Sequence, residues 1–170
     1  YRRTRVPGRR LGAMLDHRNG RGHGLALDEA RSILYVAVTR ENAIFSLPIE
    51  PRYAGMKKAG RFLQLSGATG PDGLALDAEG RLCVCHASNR GAFLVNAMGE
   101  VTHFVTRAAG GTVTNVAYRP GTRTAVFTES ETGTILEVRY KVGDSAIVLQ
   151  PLMMVGDEGE ASAPAAASPA

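Results

Sequence analysis

The sequence has no tryptophan, only two cysteines, and no apolar run approaching the roughly 20 residues that a membrane-crossing helix requires. It therefore reads as a soluble, globular body. It also lacks a Gly-rich loop ending in Gly-Lys-Ser/Thr, a His-Glu-x-x-His pair and a Gly-x-Ser-x-Gly turn. Those absences leave phosphate-loop chemistry, helical zinc-protease chemistry and covalent serine catalysis unsupported. Aromatic residues are scarce at 6%, and 20 glycines against 8 prolines point to many tight turns rather than long helices.

The charge is uneven. Formal net charge is +4, yet residues 1–21 carry Arg2, Arg3, Arg5, Arg9, Arg10, Arg18 and Arg21 against the single acid Asp16. Such a head could bind nucleic acid or an acidic membrane surface, but a solvated outer strand with a frayed start is the better reading. No aromatic interleaving or nucleic-acid signature accompanies the arginines, so neither nucleic acid nor membrane is expected as a partner. The chain opens on Tyr1 within sequence that reads as structured, without a start methionine or signal peptide. A fragment of a longer reading frame is expected, and a cytoplasmic location, with any targeting segment out of sight.

Internal repetition is the most informative feature. Gly22-His23-Gly24-Leu25-Ala26-Leu27-Asp28 and Pro71-Asp72-Gly73-Leu74-Ala75-Leu76-Asp77 each precede a short turn and an apolar strand. A diverged third copy starts at Thr114-Asn115-Val116-Ala117-Tyr118. Aligning His23, Asp72 and Asn115 gives offsets of 72 − 23 = 49 and 115 − 72 = 43 residues. Those periods match the roughly 40–50 residues of a four-stranded propeller blade. Later strands are predicted at Ala43–Leu47, Ala92–Val95 and Thr134–Val138, and fourth strands at Phe62–Leu65, Val101–Val105 and Ala146–Leu149.

The predicted fold is thus all-β, with about three propeller blades over 22–155, divided near 22–66, 67–110 and 111–150. Residues 1–21 are expected to give an outer strand (Leu11–Leu15) and loop of a preceding blade. The Ala/Pro/Ser tail 156–170 is expected to be disordered. Three blades cannot close a ring, so further blades upstream or a second copy would be needed, and the oligomeric state is left open.

Cys83 and Cys85 alternate with His86 along one predicted strand, which puts both thiols on one face and the imidazole on the other. A disulfide two residues apart is poorly placed, and reduced buried thiols are the better reading. His23, Asp72 and Asn115 fall just before the apolar runs of three inner strands, which converge at one mouth of a propeller channel. Carboxylate, amide and imidazole can together serve a cation. Against that, Pro-Asp-Gly forms turns without any chemistry, and Asn at the start of a strand often caps one. His86 either borders the channel as a substrate contact or is a packed, hydrogen-bonded histidine. Glu129 and Glu131 flank a turn and are expected in solvent. His17 and His103 read as surface or strand residues, and Asp28 and Asp77 as recurring turn residues.

Pro71–Asp77 followed by Gly80-Arg81-Leu82 resembles the Pro-Asp-Gly segment of the gluconolactonase/senescence-marker-protein family of six-bladed lactonases. Leu34–Ala43, Thr114–Tyr118 and Thr128–Leu136 resemble other segments of one bacterial-type branch, and the similarity runs from about 22 to 140. The resemblance implies a metal-dependent hydrolase of sugar lactones, with a small-molecule lactone as partner. It implies that Asp72 is both ligand and general base for a divalent ion (calcium, zinc or manganese). His23 stands where the family has an asparagine ligand, which tilts the site toward transition metals or marks a lost ligand. Asn115 and His86 would line the substrate pocket, and a further glutamate ligand would lie on blades outside this sequence. A non-catalytic propeller that binds a partner, or an inactive fragment, is the alternative.

Overall fold

The computed structural model describes residues 22–49, 59–106, 111–120 and 122–140, with the backbone of 147–148 and 150–151. The outer strand expected at Leu11–Leu15 and the tail 156–170 lie outside the described residues.

Three antiparallel sheets follow one another along the chain, each built as a meander. The first holds β1 (Gly22–Asp28), β2 (Ile33–Val38), β3 (Ala43–Pro48) and β4 (Gly60–Gln64). The second holds β5 (Pro71–Leu76), β6 (Leu82–His86), β7 (Gly91–Val95) and β8 (Val101–Thr106). The third begins with β9 (Val113–Tyr118), β10 (Thr124–Glu129) and β11 (Thr134–Arg139). The inner strand of each sheet packs on the next, β1 on β5 and β5 on β9. This is the arrangement of consecutive propeller blades, and the fold is all-β.

The run expected as the third sheet's fourth strand behaves differently. Within it, β12 (Ile147–Val148) pairs parallel with β8, on the outer edge of the second sheet. The fourth position of the third sheet is taken by β13 (Gln150–Pro151), against Leu136 and Glu137 of β11. An apolar run declares a strand, but which free edge it joins is decided by where the chain can reach.

Burial follows position in the stack. Every residue of β6 is buried, thiols included, because the second sheet has a neighbour on both faces. Cys83, Cys85, Ala92 and Leu94 pack against Val116, Phe127 and Leu136 of the third sheet. Leu74, Leu82, Val84 and Val95 pack against Ala26, Tyr35, Ala37 and Ile44 of the first. Both cysteines are free, and burial pushes the Cys83 thiol up to about 12. The third sheet alternates: Ala125, Phe127, Leu136 and Val138 are buried, while Asn115, Ala117, Thr128 and Arg139 are exposed.

Close packing around the axis rests on two glycines. A Cβ at Gly24 would overlap the Asp72 carbonyl oxygen, and one at Gly73 would overlap Asn115. No other residue allows backbones so near.

The two Leu-Ala-Leu-Asp repeats end in locked turns. Asp28 accepts from Arg31 N (2.9 Å) and from the Arg31 guanidinium (2.6 Å). Burial alone would raise the Asp28 pKa, but the hydrogen bonds and charge of Arg31 win and hold it below 3.8. Asp77 accepts from Glu79 N, Arg81 N and Arg81 Nε at 3.0, 2.8 and 2.6 Å. It also accepts the hydroxyl of Tyr140, the residue after β11, at 3.1 Å, and that hydroxyl in turn bonds Tyr118 of β9 at 2.7 Å.

Glu129, expected in solvent, is 2% exposed. Its carboxylate accepts from Thr112 N (3.2 Å) and Thr132 N (3.0 Å), from Glu131 N, and from the Thr132 hydroxyl. A side chain that reads as a surface acid is thus the cap of the 130–133 turn. Exposed Glu131 pairs with Arg90 at 3.3 Å.

Two outcomes are expected. Gly73→Val should push the second and third sheets apart and cost about 1–3 kcal/mol in a denaturant melt. Gly60→Ala, whose Cβ would meet Ser46 Oγ at an ordinary 3.9 Å, should be far milder. The Thr132 hydroxyl, with the turn amides, holds the Glu129 pKa below 4.5. Its folded value is depressed, so its stabilisation is present above 4.5 and disappears as pH falls through the lower folded value. Glu129→Gln should therefore destabilise at pH 6 to 7 and converge on the parent in acid; parallel melts that differ equally at all pH values would refute this.

Candidate functional site

The three inner strands all start at the same end of the stack, and a bulge sits at the head of each. In β1, Gly22 lies opposite Val38 and Leu25 opposite Val36, so His23 and Gly24 together face one residue of β2. In β5, Pro71 lies opposite His86 and Leu74 opposite Val84, which repeats the irregularity at Asp72 and Gly73. Bulges of this kind re-aim a side chain out of the ladder. Here they bring His23 Nδ1 to 3.4 Å from Asp72 Oδ1, with the two side chains 39% and 30% exposed. The pair is part-buried at the rim and open to a ligand.

The third blade corrects the repeat alignment. Val113 pairs with Glu129, Asn115 with Thr128 and Val116 with Phe127. Counting back from the apolar residues Leu25, Leu74 and Val116, the rank of His23 and Asp72 is held by Thr114. Asn115 holds the rank of Gly24 and Gly73. Its side chain is turned onto its own strand, Oδ1 accepting Val116 N at 2.9 Å. Thr114 shares a 2.9 Å hydroxyl contact with Thr128. The signal was present in the sequence: Leu74-Ala75 matches Val116-Ala117, an offset of 116 − 74 = 42. Placing Asn115 level with Asp72 sets the third copy off by one.

His86 does not join His23 and Asp72. It is fully buried between the first and second sheets, edge-on to Phe93 at 5.9 Å. Its Nε2 lies 2.9 Å from Asn42 Oδ1, and its Nδ1 lies 3.4 Å from Ser88 Oγ. Burial lowers its pKa from 6.5.

As a cation site the pair offers one imidazole nitrogen and one carboxylate, a donor set that divalent ions accept. Among the described residues no three His, Cys, Asp or Glu side chains gather around one point. Further ligands would have to come from backbone, solvent or residues outside those described. A cavity of about 520 Å³ lies at the opposite end of β1 and β5, lined by Leu27, Asp28, Arg31, Asp77, Glu79 and Gly80. Its buried carboxylates are already engaged by Arg31 and Arg81.

Solved structures with the same fold include regucalcin from Agrobacterium tumefaciens, a calcium-binding protein, at 18% identity and TM-score 0.55 over 64% of this chain and 38% of that one. Virginiamycin B lyase from Staphylococcus aureus gives 13% identity and TM-score 0.62 over 79% and 41%. A protein provisionally described as a gluconolactonase gives 20% identity and TM-score 0.53 over 78% and 41%. The chain thus spans about two-fifths of the length of these structures. No curated protein sequence matches it. Among the described residues no helix is long and apolar enough to cross a membrane. The family described as SMP-30/gluconolactonase/LRE-like region matches residues 14–141, and with the three-blade architecture in place the chain belongs to that family.

Proposed function

We propose that this protein hydrolyses sugar-type lactones at the mouth formed by the heads of β1 and β5, with Asp72 as general base. The observation that supports this reading is the His23–Asp72 pair, delivered by two equivalent bulges on neighbouring blades. A divalent cation, calcium, zinc or manganese, would be held by Asp72 and His23 and would polarise the lactone carbonyl when bound. The chain's own groups do the proton work. Asp72 takes a proton from the attacking water as its oxygen bonds to the carbonyl carbon. As the ring C–O bond breaks, the proton passes to the departing ring oxygen, leaving a hydroxy acid. His23, 3.4 Å away, orients the carboxylate. Blades beyond those described would supply further ligands and the sugar-recognising groups. The free, buried Cys83 and Cys85 suit a reducing, cytoplasmic setting.

Acid release from gluconolactone by the intact protein, with each ion added in turn, is the test. Asp72→Asn should lower turnover by about 10²-fold or more. Turnover unchanged by that substitution would remove Asp72 from the reaction. Cation binding without hydrolysis would leave a ligand-binding propeller.

His23→Asn replaces an imidazole nitrogen with an amide oxygen and should move ion preference from zinc toward calcium, read by calorimetry with each chloride salt. Unaltered affinities for both would place His23 outside the ion's coordination.

A further inference from the structure

The segment that leads into Asp72, exposed from Ser66 to Thr69, is held by a series of hydrogen bonds. Leu65 N donates to Asn42 O at 2.8 Å, and Asn42 Nδ2 donates to Gly67 O at 2.9 Å. Asn89 Nδ2 donates to Ser66 O at 3.0 Å. Ser88 Oγ accepts from Ala68 N at 3.1 Å and Thr69 N at 3.2 Å, while Ser88 N donates to Thr69 Oγ1 at 3.0 Å. The Thr39 hydroxyl donates to Pro71 O at 2.7 Å, one residue short of the carboxylate. Gly67, at φ +120°, lies so close that a Cβ would stand 2.7 Å from Asn89 Oδ1 and 2.9 Å from both His86 Cε1 and Ser88 Oγ.

His86 connects the two halves of this grip. Asn42 spends its amide N–H on Gly67, so its Oδ1 faces the ring as an acceptor, and Nε2 must carry the proton. Nδ1 is then an acceptor, and the Ser88 hydroxyl donates to it. That leaves the lone pairs of Ser88 Oγ for the amides of Ala68 and Thr69. One tautomer satisfies every group, and the buried imidazole stays neutral near pH 7 because burial lowers its pKa. Asn42, in the left-handed region at φ 49°, holds its amide at the one place where it meets both His86 and Gly67.

We propose that His86 is a positioning residue: through Asn42 on one ring nitrogen and Ser88 on the other, it fixes the 65–71 segment and thereby the Asp72 carboxylate against His23. The proposal deepens the lactonase reading and rests on it for the meaning of that carboxylate, but the grip itself is independent of any activity. Ser88 is the sharper probe, since it is an exposed residue whose truncation leaves the buried imidazole itself in place. Ser88→Ala should accelerate hydrogen exchange at Ala68 and Thr69 about tenfold, shift the His23 ring resonances, and weaken zinc or manganese binding by about 10-fold. Ser88→Thr, which keeps the hydroxyl, should restore all three. His86→Phe, which keeps the buried volume without either hydrogen bond, should act in the same direction more strongly. Unchanged exchange in Ser88→Ala would overturn the grip. Faster exchange with unchanged His23 resonances would overturn the positioning role. A parent protein that binds no cation and opens no lactone would defeat the functional reading alone, because exchange and the His23 resonances would still decide this proposal.

Discussion

Neighbouring blades meet where the side chain is a single hydrogen. Gly24 sits against the Asp72 carbonyl, and Gly73 sits against Asn115. That approach carries β1 to β5 and β5 to β9, and it coincides with the bulges at the strand heads by which two residues face one. The bulged residue just before each glycine, His23 or Asp72, is therefore turned out of the ladder toward the mouth. Packing and chemistry are consequences of the same dipeptide: the glycine lets the blades close, and its predecessor is what the closed blades present. In the third blade the glycine rank is held by Asn115, whose exposed side chain folds back on Val116. The tight approach ends there among the described residues.

The three blades differ in what their faces ask for. The second is buried on both faces along β6 and most of β7. The third buries one face and turns threonines, Asn115 and Arg139 outward, in the alternation of a half-solvated sheet. The first presents the reverse problem, for Leu25 and Leu27 are 55% and 47% exposed on the side of β1 away from Ala26 and the second blade.

Much of this was readable from sequence. The apolar runs of period two, the Leu-Ala-Leu-Asp repeats and the spacing of the copies specified blades, because local pattern and global fold agree there. The thiols of Cys83 and Cys85 and the imidazole of His86 fell on opposite faces as strand alternation requires. What failed had tertiary causes. Asn115 stands, like Asp72, just before an apolar run, whereas rank is set by the cross-strand partner, Thr128, which sequence does not display. Glu129 looks like any turn acid until Thr112, from the loop before β9, is folded onto it. Ile147 and Val148 read as a strand, but pairing with β8 of another blade is a property of the assembled edge. Beyond His23 and Asp72 the sequence names no further ligand, because among the described residues no third His, Cys, Asp or Glu side chain gathers with them.

Asp72 illustrates how such a site can be both exposed and exact. Its carboxylate is 30% open to solvent, so a ligand can reach it, and an isolated surface carboxylate would sample many rotamers at little cost. Its backbone, however, is fixed from both directions. Beyond it, Gly73 and Leu74 are locked between blades by close packing and the β6 ladder. Before it, Pro71 is paired with His86 and held by Thr39, and the preceding loop hangs on Ser88, Asn89 and Asn42. The freedom left to the residue is therefore confined to its side chain, whose neighbour His23, at 3.4 Å, stands on a strand held by the same glycine contact. Precision at this rim comes from the backbone on either side of the carboxylate, and the solvent-facing oxygens remain available for chemistry.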